Sequence, residues 1–564
     1  MKYAGFTLAL AGIFAGTALG QTPSVTQLAN IYSWTLEGLP NYGIAEGSIF
    51  AIFGTNLAST TVPLQGPPLQ ATLSGVTINV TVGGTTTHPL IYYLSPTQIN
   101  AVLPSATPAG TGTITVTTSA GTSTAFSIPV VRSAFGLLTW NYGSGPAKGY
   151  NANDNGVLFG FSSAVNPGEI LELWGTGLGP VEGDGTGVAV SPTADVYIGG
   201  VQAQVKYSGR SSYTGLDQIN VVVPVGLSGC YVSVVVQTGD YVSNFGTLPV
   251  AASGRSCSDP DSALVPSILD QAGKTGSLNL GLISVSQLVN PGITVKGVVH
   301  GAATTDKGLA RFSKITSAQI NSGAFAAALD GYSSVGSCFV ESFTTSGDVT
   351  TSELTSGNVT LPVPFQFTAL NAGPDVNING PDGTIAMPFQ TLNGVAGYNT
   401  PASITSFIPA SGGAFTFDNG TGGPDVGAFA TPQIQIPAPV TWSNTSSLST
   451  VTRADGLTVN WTGGEAGAFV EITGISLTSL NSTSNYLAGY FTCRAPVTPG
   501  TFTVPPSVLL SLPPSTSISV GGVTISTAIL LLSNFGALVN FTAPNLDVGV
   551  MAVDLTDLVY VTFN

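Results

Sequence analysis

Only two histidines, His88 and His300, occur in 564 residues, and histidine is the side chain most often used to move protons near neutral pH. His88 follows the Gly83-Gly84 turn and His300 ends an apolar run. Neither sits beside a nucleophile and a carboxylate in a local signature, so both are expected at strand ends or on the surface. No Gly-x-Ser-x-Gly elbow occurs. Gly273-Lys274-Thr275 imitates the end of a phosphate loop, but the glycine required five positions before Gly273 is Ile268. Glu169 and Glu172 stand apart on strand-like runs, which gives no local basis for a two-carboxylate glycosidase. The turns Asn151 to Gly156 and Phe417 to Asp425 are rich in oxygen ligands, but neither fits the twelve-residue calcium loop that ends in glutamate. The same residues populate ordinary turns, so no metal or cofactor is expected. Trp442 and Trp461 lie on alternating runs and are the candidates for stacking on a sugar ring. Trp461 shares its alternation with Leu457 and Val459, however, which also suits the core.

Four cysteines remain: Cys230, Cys257, Cys338 and Cys493. In an exported chain they are expected as disulfides. Of three connectivities, Cys230 to Cys257 with Cys338 to Cys493 keeps each bridge within one domain and is favoured. Export is indicated by residues 1–20: Lys2, an apolar run from Phe6 to Leu19, then Ala18-Leu19-Gly20 before Gln21, the pattern of a cleaved signal peptide. The next most apolar stretch, Ala528 to Leu532, is far too short to span a membrane as a helix.

Charged side chains are 7% of the chain, with 13 basic and 28 acidic residues and a net charge of −15. Hydroxyl and amide groups therefore fill the surface, and a phosphate backbone would be repelled, so nucleic acid is not an expected partner. Short alternating runs such as Val76 to Val82 are separated by glycine- and asparagine-rich turns, which predicts an all-β protein. Ser262 to Ala272 and Ile315 to Leu329 are the candidate helices.

One segment returns about 120 residues later. Glu46-Gly47-Ser48-Ile49-Phe50-Ala51-Ile52-Phe53-Gly54-Thr55-Asn56-Leu57, Val82-Gly83-Gly84 and Gln98-Ile99-Asn100 reappear as Pro167-Gly168-Glu169-Ile170-Leu171-Glu172-Leu173-Trp174-Gly175-Thr176-Gly177-Leu178, Ile198-Gly199-Gly200 and Gln218-Ile219-Asn220. This predicts two tandem immunoglobulin-like β-sandwiches at 38–132 and 133–252, preceded by an N-terminal segment 21–37. A linker 253–262 and a β-rich region 263–564 of one or two sandwiches follow, with a seam near 369–381.

The second repeat, from Asn166-Pro167-Gly168-Glu169 through Leu173-Trp174-Gly175-Thr176-Gly177-Leu178-Gly179-Pro180 to Asp217-Gln218-Ile219-Asn220, resembles the Solibacter-type C-terminal domain of secreted acidobacterial proteins, itself similar to the IPT/TIG immunoglobulin-like fold. The first repeat keeps Gly54-Thr55 but has Asn56 where that family has glycine, and it lacks the following Gly-Pro. The resemblance covers about 40% of the chain and implies export and fold, not an activity.

The sequence thus points to a secreted or cell-surface, non-enzymatic protein engaged in adhesion or matrix interaction, with a protein or polysaccharide as partner. A glycan-binding module protein is the alternative, and a secreted hydrolase with its site in the C-terminal region is a third.

Overall fold

Val76–Val82 alternates buried and half-buried along its whole length, as a strand must when one face meets a core and the other water. In this computed structural model, which describes residues 21–295, 298–300, 302–323, 325, 333–346, 367–392, 395–482, 485–520 and 523–564, that pattern recurs from end to end. The chain is all-β apart from short helices. The signal peptide expected at 1–20 lies outside the described residues.

The first sandwich sets a four-stranded sheet, in the order Ser24–Asn30, Ile49–Thr55, Gln98–Val102, Leu90–Leu94, against a sheet built on Val76–Val82, Gly110–Thr118 and Phe126–Val131. Phe50, Ile52, Ile78, Val80, Ile99, Ile114 and Val116 fill the space between them, all fully buried. The sandwich begins earlier than expected, because Ser24–Asn30 pairs along Ile49–Thr55. Its alternation is obscured by Thr26, the extra residue where the register shifts between Val25 and Gln27.

The second sandwich repeats the first down to side-chain contacts. Phe53 faces Gln98 and Trp174 faces Gln218 across equivalent strand pairs. The Gln98 amide donates to Asn100 Oδ1 at 2.8 Å, and Gln218 donates to Asn220 Oδ1 at 2.8 Å. Ser123 Oγ accepts from Val116 N and donates to the Thr124 carbonyl, as Ser243 does with Val236 N and the Asn244 carbonyl. A Cβ on Gly54 would strike the Ser24 carbonyl and one on Gly175 the Phe135 ring and Gly136 carbonyl, so both glycines serve close approach. The next residue but one is left-handed in both copies, φ 55° at Asn56 and 104° at Gly177. Asparagine tolerates that backbone better than most residues.

The segment expected as a linker, 253–262, is anchored at two buried points, Cys257 and Asp259, while Ser253, Gly254, Ser258 and Pro260 are exposed. Cys257 is fully buried and bonded to Cys230, with Cα atoms 5.2 Å apart. The buried Asp259 carboxylate accepts from Cys230 N and from Ser334 Oγ, joining the second sandwich to the C-terminal region. Burial raises the Asp259 carboxyl despite those hydrogen bonds. Its small polar residues suit a linker, but the Cys257 bridge expected from the sequence anchors it to the second sandwich.

The C-terminal region is built on one fifteen-stranded sheet. Its spine is the strand Val548–Phe563, parallel to Ser277–Asn290 on one side and antiparallel to Ala528–Phe535 on the other. Two cores flank it: Met551 and Val553 pack with Ile283, Phe312, Ile378 and Phe417, while Val561 and Phe563 pack with Val470, Phe491 and Leu530. The expected seam at 369–381 is absent as a break, since Ala372, Val376 and Ile378 are buried in the first of these cores. Cys338 and Cys493 are directly opposed on the paired strands Cys338–Ser346 and Asn485–Pro496, and they form the second disulfide.

One candidate helix is present as Pro266–Thr275, with proline in its first turn and left-handed Gly276 closing it. Of the other, Ser317–Asn321 is helical, Ile315 and Thr316 complete a strand, and most of 324–329 lies outside the described residues.

Candidate functional site

The two tryptophans proposed for sugar stacking are core residues. Trp442 is 6% and Trp461 2% exposed, within the cluster formed by Leu457, Val459, Val504 and Phe563. Each indole N–H is satisfied internally, Trp442 by Asn444 Oδ1 at 3.1 Å and Trp461 by the Val497 carbonyl at 2.8 Å. The two residues face each other across paired strands, so the alternation shared with Leu457 and Val459 points inward, and neither ring face is open to a glycan.

His88 is exposed and its Nδ1 lies 2.9 Å from Asn79 Oδ1. His300 ends the short strand Val298–His300, and its side chain lies outside the described residues. Lys274 sits in the last turn of its helix, the end whose dipole repels phosphate.

At the first Asx-rich turn, Glu169 Oε2 accepts from Asn151 Nδ2 at 2.8 Å and from Arg255 Nη1 at 2.6 Å. The Arg255 hydrogen bond is the main reason its carboxyl sits below the usual range. A guanidinium thus occupies the place a cation would take. At the second, burial would raise the Asp418 carboxyl, but donors from Asn379, Asn377 and Gly420 outweigh it and hold it low. No grouping of three or more metal-ligating side chains occurs among the described residues.

A cleft of about 310 Å³ lies elsewhere, on the open face of the C-terminal sheet. Strand register explains its lining. Glu471, Ser533, Thr556, Leu288 and Thr305 form one row across five neighbouring strands. Phe469, Phe535, Asp554, Ser286 and Lys307 form the next. All ten line the cleft, because positions two apart on each strand share a face.

At one end Phe469 and Phe535 stack with centroids 5.0 Å apart and planes 11° off parallel. The Arg494 guanidinium lies 5.0 Å from the Phe469 centroid, and its Nε is 2.9 Å from Glu471 Oε2. In the middle, Ser533 and Thr556 hydroxyls are 2.7 Å apart, and Thr556 donates to Asp554 Oδ2 at 3.2 Å. Phe469, Ser533 and Thr556 form the buried floor, and the accessible lining is Phe535, Ser286, Thr305, Lys307, Glu471 and Asp554, one ring followed by hydroxyl, ammonium and carboxylate groups at strand spacing. This lining suits an extended ligand with many hydroxyls.

These residues were missed in the sequence because they come from five separated strands. Their signal was the hydroxyl alternation in Ser284-Val285-Ser286, legible only once the partner strands are known.

No family model and no curated protein sequence matches the chain. Among solved structures it is distantly similar to SGBP-B of the Bacteroides ovatus mixed-linkage glucan utilization locus in complex with a mixed-linkage heptasaccharide. That match has 13% identity and a TM-score of 0.20, covering 52% of this chain and 72% of that one. A second is the S-layer protein SbsC, domains 5-6, at 12% identity and TM-score 0.16 over 41% and 98% of the two chains. A third is SGBP-B from a complex xyloglucan utilization locus in Bacteroides uniformis, at 10% and 0.15 over 86% and 97%. Likeness at this level assigns no role. The chain is an all-β protein with tandem immunoglobulin-like sandwiches.

Proposed function

We propose that this is an exported, cell-surface or matrix protein that binds without turnover, holding a neutral, hydroxyl-rich polymer in the groove across the C-terminal sheet. The observation that carries this reading is the double row from Glu471 to Thr305 and from Phe469 to Lys307, which lines one continuous cleft. The half-buried Phe535 ring supplies an apolar edge, and Ser286, Thr305, Glu471, Asp554 and Lys307 offer donors and acceptors to a saccharide. Two disulfides support an oxidising compartment. No described helix is long and apolar enough to cross a membrane. The second sandwich is joined to the C-terminal region through buried Asp259 and a shared apolar core.

Affinity electrophoresis in gels containing soluble neutral glucans, xylan or galactomannan tests this. Wild type is expected to be retarded by at least one polymer, and Ser286→Trp, which fills the half-buried middle of the groove, is expected to run free. Retardation by none, or equal retardation of the variant, contradicts the reading.

A hydrolase is the second reading, because Glu471 and Asp554 both reach the cleft. Glu471 is held by Arg494 and Asp554 by Thr556, an arrangement that fixes carboxylates as acceptors and does not single out a proton donor. Release of shortened products would establish that reading instead.

A further inference from the structure

In an antiparallel pair, residues at the narrow, non-hydrogen-bonded positions turn their peptide groups away from the partner strand. Cys338 and Cys493 form such a pair, with Cα atoms 4.0 Å apart, and the bond from Arg494 N to the Ser337 carbonyl at 3.0 Å sets the same phase. Val340, Ser342 and Thr344 therefore direct their N–H and C=O groups out of the sheet. Their strand, Cys338–Ser346, ends the fifteen-stranded sheet, and among the described residues no backbone hydrogen bond meets those groups from the open side.

Other sheet ends are guarded. Leu90–Leu94 in the first sandwich is covered by residues 62–70, through Ile91 N to the Gln70 carbonyl at 2.8 Å and Val62 N to the Leu94 carbonyl at 2.8 Å. Val157–Leu158 in the second sandwich and Ile434–Gln435 at the far end of the large sheet are two residues long, and the latter runs into Pro437. Covering, shortening and proline are the means by which proteins keep edges from pairing. Cys338–Ser346 has nine residues and no proline.

That edge borders a cleft of about 240 Å³, which Val340, Glu341, Ser342 and Phe343 line in unbroken succession. Neighbours on a strand point to opposite faces, so a cleft that meets four in a row lies along the strand's edge. Ser342 and Phe343 are half-buried and Thr344 is exposed, so the edge is open to water. The other walls are loops of the two sandwiches, with Leu36 from the first and Asn244 from the second. A single strand can enter between them, whereas a whole second sheet would meet them. Among the described residues lining the cleft, Glu341 alone carries a carboxylate and none carries an ammonium or guanidinium group. Glu341 accepts from the Tyr490 hydroxyl at 2.7 Å. Opposite charges on facing strands attract.

We infer that the edge 340–344 binds an extended peptide of another protein by strand addition, with a lysine or arginine of that peptide facing Glu341. Main-chain pairing supplies the affinity, and the Glu341 contact selects the sequence. The site is separate from the groove and stands independently of it.

Hydrogen exchange read at single amides, and fluorescence anisotropy with labelled peptides, test the inference on the full chain. In the free protein Ser342 and Thr344 are expected to exchange fast, and Glu341 and Phe343, paired with Tyr490 and Ala488, slowly. The probe Val-Thr-Val-Lys-Val-Thr-Val is expected to bind and to slow the fast pair. The same peptide with glutamate for lysine is expected to bind about fivefold more weakly, the weight of one cross-strand charge pair. Glu341→Gln should still bind but lose that preference. N-methylation of alternate peptide amides should abolish binding in one set and spare it in the other, and Ser286→Trp in the groove should leave binding unchanged. Slow exchange of Ser342 and Thr344 in the free protein, no binding of the lysine peptide, equal effects of the two methylated sets, or loss in Ser286→Trp would overturn the inference. Protection of the edge that grows with protein concentration, with dimers in light scattering, would assign it to a second copy and overturn it too. None of these results bears on polysaccharide binding by the groove except loss in Ser286→Trp, which would place the peptide there.

Discussion

Arg210 is the largest fully buried side chain in the molecule's described part, and it sits between the two sandwiches. Its Nη1 lies 2.8 Å from Asp217 Oδ1, while its hydrogens are directed to the carbonyls of Gly47 at 2.9 Å and Gly179 at 3.1 Å. Asp217 Oδ2 in turn accepts from the amides of Gly177 and Leu178. Removing one partner of a buried pair strands the other charge, so Arg210→Met is expected to cost about 3–5 kcal/mol in urea unfolding, with Asp217→Asn in that background recovering part of it. A loss below about 1 kcal/mol would contradict the pair's role. Burial pushes the Asp217 carboxyl up to about 6, against the opposing pull of Arg210 and the two amides. The folded state therefore holds this proton more tightly than an unfolded chain with its ordinary value near 3.9. The stabilisation is full below about pH 4 and is lost as pH rises through about 6, so wild type should lose ground to Asp217→Asn over that interval when both are unfolded at a series of pH values.

The repeat glycines belong to the same scale. Gly175→Ala is expected to destabilise by about 2 kcal/mol or more, because its Cβ meets backbone as well as a ring. Asn56→Gly relieves a left-handed φ and is expected to be neutral or mildly stabilising. Thermal melts of both variants check this, and the reverse order would refute the close-approach explanation. These positions were legible in the sequence, since a recurring Gly-Thr followed by glycine or asparagine states a backbone requirement directly. The Trp442 and Trp461 sites were half legible: alternation placed them on strands, but only packing decides which face of a two-sided sheet is inside.

At the scale of elements, Cys338 and Cys493 join adjacent strands whose separation in sequence is 155 residues, against 27 for Cys230 and Cys257. Loop-closure entropy assigns about 5 kcal/mol to the longer loop and about 3.5 kcal/mol to the shorter. Chemical unfolding of Cys338→Ala/Cys493→Ala is expected to show the larger loss, and a larger loss from Cys230→Ala/Cys257→Ala would contradict that ranking. The pairing was favoured in the sequence among three connectivities because it keeps each bridge within one domain, and it is the one formed. Strand order could not be read there, because Val548–Phe563 pairs in parallel with Ser277–Asn290, nearly the whole C-terminal region away. Tandem sandwiches with short connections announce themselves by spacing, while a sheet assembled from long-range pairs does not.

In the whole molecule the modules are joined by buried polar contacts and not by a loose tether. Asn30 Nδ2 reaches the carbonyls of Ala134 and Thr176, and Ile49 N donates to Thr176 Oγ1 at 2.8 Å, across the two sandwiches. Val235, Val242 and Phe245 of the second sandwich share a core with Trp442 and Phe491 of the C-terminal region. The groove across five strands carries the central claim, binding without turnover, and one titration tests it most directly. The full chain is titrated calorimetrically with the neutral polysaccharide that retards it most, beside Ser286→Trp, and the polymer's chain length is measured before and after. Saturable heat with wild type, its loss in the variant and an unchanged chain length are the expected result. A shortened polymer, or the same heat from Ser286→Trp, would contradict the account.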